Sequence, residues 1–61
     1  MMFRVSVELM GEKIPLGDKW MTAEKAIETA EAALAKGLDI EIKNEKGEVI
    51  FLPALKGAKN A

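Results

Sequence analysis

Thr22–Gly37, TAEKAIETAEAALAKG, is the one stretch long and periodic enough to be a helix, and its reading decides the fold. Thr22 stands at the N-cap, where a hydroxyl can accept from the unpartnered N–H groups of the first turn. Gly37 stands at C′, where left-handed backbone costs least without a Cβ. Glu24 in the first turn and Lys36 in the last carry the signs that suit the helix macrodipole. At about 100° per residue, Ala23, Ala26, Ile27, Ala30, Ala33 and Leu34 fall on one stripe, with Glu24, Glu28 and Glu31 on the solvent side. Most of the stripe is alanine, so the spacing predicts a helix lying close on a sheet.

Working outward, both flanks read as hairpins. Phe3, Val5, Val7 and Leu9 alternate with Arg4, Ser6 and Glu8, the period of a half-buried strand. Gly11-Glu12 suits a type II′ turn, which pairs Leu9 with Ile14 and Val7 with Leu16. Pro15 has no N–H to give, so the second strand belongs at a sheet edge, and Gly17-Asp18 bulges or breaks it. Beyond the helix, Leu38, Ile40 and Ile42 alternate again. Asn44-Glu45-Lys46-Gly47 then suits a three-residue loop with Gly in a bulge, setting Asn44 opposite Glu48 and Ile42 opposite Ile50. A fourth strand, Glu48 to Leu52, stops at Pro53. The expected fold is α+β: ββαββ, a four-stranded sheet of two hairpins with one helix on one face. Residues 1–53 form the domain and 54–61 a flexible tail. Strand orders 2-1-4-3 and 2-1-3-4 are both open.

The totals narrow the function classes. With 61 residues, no Cys and no His, the chain lacks disulfides, the common metal ligands and the usual nucleophile–base pairs. No phosphate-binding or nucleophile-elbow spacing occurs, so no catalytic, cofactor or metal site is expected. The formal charge of −1 lacks the basic excess of a nucleic-acid binder, and no apolar run reaches membrane-spanning length. These features point to a cytoplasmic protein without a membrane or small-molecule partner. A chain this short buries only about 60% of its unfolded surface. Self-association or a tight partner is the remaining way to complete its core.

The fourth strand supplies the surface for that. It does not alternate: with the bulged loop, Ile50 and Leu52 point at the helix and Val49 and Phe51 at the uncovered face. An even loop would exchange the two pairs, and either way two large apolar side chains are left uncovered. Val49, Phe51, Leu55 and Trp20 are therefore the candidate interface, of a homodimer or a hetero-complex. Leu55 could instead fold back over the strand, and Trp20, beside the N-cap, could instead lid the core. The alternative is a nucleic-acid-binding face, with Arg4, Lys13, Lys19 and Lys43 on phosphates and Phe51 stacked on a base.

Trp20-Met21-Thr22-Ala23-Glu24-Lys25-Ala26-Ile27, followed by the hairpin Ile40 to Phe51 with its Lys46-Gly47, resembles small uncharacterised ββαββ domains that share a T-x-E-x-A-I helix start and a D/K-G hairpin. The build is also similar to short phage-encoded inhibitors of bacterial defence complexes. That resemblance implies binding to a protein with no chemistry of its own.

Overall fold

A computed structural model describes the backbone of residues 1–60 and the side chains of residues 1–57. The order is β1 (Phe3–Leu9), β2 (Glu12–Met21), α1 (Ala23–Ala35), β3 (Asp39–Asn44), β4 (Val49–Ile50) and α2 (Leu52–Asn60). The strands form one antiparallel sheet in the order β2-β1-β3-β4, so the α+β fold is as expected and the open choice of strand order resolves to 2-1-3-4.

The helix behaves as its sequence requires. Thr22 Oγ1 accepts from Lys25 N–H at 3.2 Å, and Gly37 exits at φ +77°. Gly37 N–H donates to Leu34 O and Leu38 N–H to Ala33 O, the paired bonds of a Schellman ending. Ala26, Ile27, Ala30 and Ala33 are buried against the sheet. Leu34, expected on that dry stripe, is instead 47% exposed at its margin.

The first hairpin turns one residue earlier than expected. Leu9 opposes Glu12 and Val7 opposes Ile14, so the central residues are Met10 and Gly11, both at positive φ (+52° and +81°). That is the type I′ signature rather than II′. Each partner shifts by two residues, and an even shift leaves every side chain on its face. Val5 and Val7 are buried, while Leu9 at the tip is 42% exposed. Further along, Leu16 opposes Val5 and Met21 opposes Phe3, so four residues from Gly17 to Trp20 bulge opposite Arg4 alone. Leu16 and Met21 are an odd number of residues apart, and the bulge, with Gly17 at φ +62°, brings both to the core side.

The C-terminal part departs most from expectation. The fourth strand ends at Ile50, and Leu52–Asn60 is a helix, not a frayed tail. Pro53 sits in its first turn, where a missing N–H costs nothing, and Leu55 N–H donates to Phe51 O at 3.0 Å. The helix lies beside α1 on the covered face of the sheet, where Leu55 joins Phe3, Val5, Met21, Ile27 and Ile42 in the core. Lys56 pairs with Glu31 of α1. Residues 54–60 thus belong to the folded unit; Ala61 lies outside the described residues.

Candidate functional site

The second hairpin positions the surface of interest. Asn44 is a buried polar residue, 4% exposed, and its side chain closes the loop. Its Oδ1 accepts from Lys46 N–H (2.9 Å) and Glu48 N–H (3.0 Å), and its Nδ2 donates to Glu48 Oε1 (2.9 Å). Asn44 N–H donates to Glu48 O, Gly47 N–H to Asn44 O, and Gly47 takes φ +80°. This is the bulged three-residue loop read from the sequence, and it sets Ile42 opposite Ile50 and Lys43 opposite Val49.

That register turns Ile50 to the core and leaves Val49 50% and the following Phe51 74% exposed. Because the chain then turns into α2, the outer side of Asp39–Glu41 has no strand beside it. By antiparallel alternation, the N–H and C=O of Ile40 point to this open edge. A groove of about 340 Å³ lies along it, with Leu34, Phe51 and Pro53 among its apolar walls and Glu8, Asp39 and Glu41 among its polar ones.

The rest of the open face is polar and interlocked. Lys13 Nζ bonds both carboxylate oxygens of Glu41 at 3.0 Å, and Lys43 Nζ lies 3.6 Å from Glu41. The Lys13 hydrogen bond, aided by the charges of Lys13 and Lys43 against some desolvation, holds the Glu41 carboxyl below its ordinary value. Arg4 lies over the Trp20 ring, 5.6 Å from its centroid, a cation–π distance.

Of the four residues read as an interface, Val49 and Phe51 are at the surface together. Leu55 is not available, being 1% exposed in the core. Trp20 is half-buried but does not lid the core: Met21 takes that place, and adjacent strand residues face opposite sides, so Trp20 lies with Arg4 on the open face. Among the residues read as phosphate contacts, Lys13 and Lys43 are directed to Glu41, Arg4 to Trp20, and Lys19 stands exposed in the bulge.

No family model, curated protein or solved structure matches the chain.

Sequence reasoning missed Leu34 as a wall of the groove, because helical periodicity alone put it on the buried stripe. It also missed the pairing of Glu8 with Asp39 and of Arg4 with Lys43 across β1 and β3. Strand alternation marks these residues as solvent-facing, but only the register says which sit side by side.

Proposed function

We propose that the chain is a protein-interaction module without chemistry of its own, docking through the β4 rim and the adjoining open sheet face. Phe51 carries this reading. It is 74% exposed, between a loop locked by Asn44 and a helix anchored by Leu55, so neither neighbour lets it fold inward. With Val49 beside it, it leaves unrealised a good part of the roughly 1.5–3 kcal/mol that full burial of a large apolar side chain supplies. In a domain with no disulfide this is a large amount to forgo, and a partner recovers it. The resemblance to short inhibitors agrees with this class of activity, binding alone.

The reading is tested by replacing Phe51 with a photo-reactive benzoylphenylalanine and irradiating the protein in the cells it comes from. Lys36, exposed at the end of α1, is the control position. Protein adducts are expected at position 51 above the background at position 36. A folded protein that gives none overturns the proposal.

A further inference from the structure

The open face is electrically polarised along its strands. Arg4 and Lys43 stand directly opposite each other at one end, and Glu8 and Asp39 directly opposite at the other. Ser6 and Glu41 form the row between them. Like charges set directly across a ladder are destabilising. Within the single chain the relief is partial. Lys43 reaches Glu41, and Arg4 lies on Trp20, while Glu8 and Asp39 have no ion-pair partner among the described residues. Lys13 is level with Glu8 in the register but extends inward to Glu41.

A pattern that is positive at one end and negative at the other complements a copy of itself turned end for end. We infer that this face pairs with the same face of a second copy, the strands of the two sheets running antiparallel, about a two-fold axis that crosses the strands at the Ser6–Glu41 row. The inference rests on the docking reading above and names its partner. Arg4 and Lys43 of each copy then lie over Glu8 and Asp39 of the other, and β4 meets β4, so that the Phe51 and Val49 side chains of both copies share one apolar cluster. The other face-to-face arrangement, about an axis along the strands, stacks positive on positive and negative on negative. The charges select between the two.

The size of the face sets the strength. Three strands about 4.8 Å apart over six residues at about 3.4 Å, with the two residues of β4 beside them, give roughly 330 Å² of sheet per copy, below a standard specific interface and in the range of weak, transient ones. Arg4, Lys43, Glu8 and Asp39 lie at its ends, where water still reaches them, so burial costs them little. Glu41, on the axis row, meets its own counterpart, and the ion pairs it already makes with Lys13 and Lys43 offset that repulsion. A dimer with a dissociation constant in the micromolar range or weaker follows, favoured at low salt.

Light scattering or sedimentation equilibrium up to about 1 mM protein, in about 20 mM and about 0.5 M salt, reads this directly. The mass is expected to climb towards twice that of the single chain at low salt and to fall back at high salt. The double variants Glu8→Lys/Asp39→Lys and Arg4→Glu/Lys43→Glu are each expected to stay monomeric, and an equimolar mixture of the two to recover dimer. Unsubstituted protein that is monomeric throughout overturns the inference, as does a dimer indifferent to both variants or a mixture that recovers nothing. If a double variant does not fold, isotope-filtered NMR on the unsubstituted dimer replaces it. Contacts from the Phe51 ring to the second copy's Val49 methyls are expected, and a dimer without them sinks the arrangement. Adducts of position 51 with a different protein, from a chain monomeric in solution, would remove the second copy and leave the docking reading standing.

Discussion

Met10 holds φ +52° at a hairpin tip where its side chain is fully exposed, so it bears left-handed backbone with no packing in return. Type I′ turns favour Asn or Gly at that position. Met10→Asn is therefore expected to raise stability by about 0.5–1 kcal/mol, read as a higher urea midpoint at unchanged slope. Asn44 is the opposite case, since its buried side chain serves two backbone N–H groups through part-buried hydrogen bonds. Asn44→Ala is expected to cost about 1–2 kcal/mol and to speed amide exchange at Glu48, because two part-buried hydrogen bonds that hold the loop are lost together. Glu41 makes stability respond to pH. Its folded-state pKa lies below the ordinary 4.5, so its contribution is complete above that value and drains as pH falls through the lower one. Replacing Lys13 by Gln is expected to move the Glu41 titration, followed by NMR, back up towards the ordinary value and to flatten the loss of stability in acid.

At the scale of elements, α2 decides which apolar side chains are covered. It packs Leu55 beside α1 and, by drawing the chain off the sheet after Ile50, exposes Phe51 on the other side. The two substitutions should therefore behave in opposite ways. Leu55→Ala is expected to cost about 2–5 kcal/mol, enough to unfold much of so small a domain, while Phe51→Ser stays within about 0.5 kcal/mol of the parent. Thermal melts of the monomer check both, and a large loss from Phe51→Ser would place that side chain in the core instead. The alternation in the first strand, the caps of α1 and the Asn44 loop were legible because each is set by residues adjacent in sequence. The helix α2 was not. It starts without a capping Ser, Thr, Asp or Asn, its Pro53 doubles as a strand terminator, and only Leu52 and Leu55 mark its buried side.

At the scale of the molecule, the covered face carries two helices and the open face carries a charge pattern with apolar residues at its β4 rim. If that face closes against a second copy, the melting temperature should rise with protein concentration at low salt, and added salt should lower it most at high concentration. A melting temperature independent of concentration would mean that the single chain is the whole cooperative unit.

The sequence by itself determined which side chains of β1 and β3 face the core, where α1 begins and ends, and the pairing across the second hairpin. Periods of two and 3.6 and the chemistry of Asn, Gly and Thr act over a few residues and need no partner. Only the tertiary structure decided the position of β4 at the edge, the earlier turn at Met10-Gly11, the bulge that presents Trp20 to Arg4, and the docking of Leu55. Each depends on surfaces far apart in the chain meeting in one packed core. There the volume under an alanine-rich helix, rather than any local preference, settles which leucine is buried and which phenylalanine is left outside.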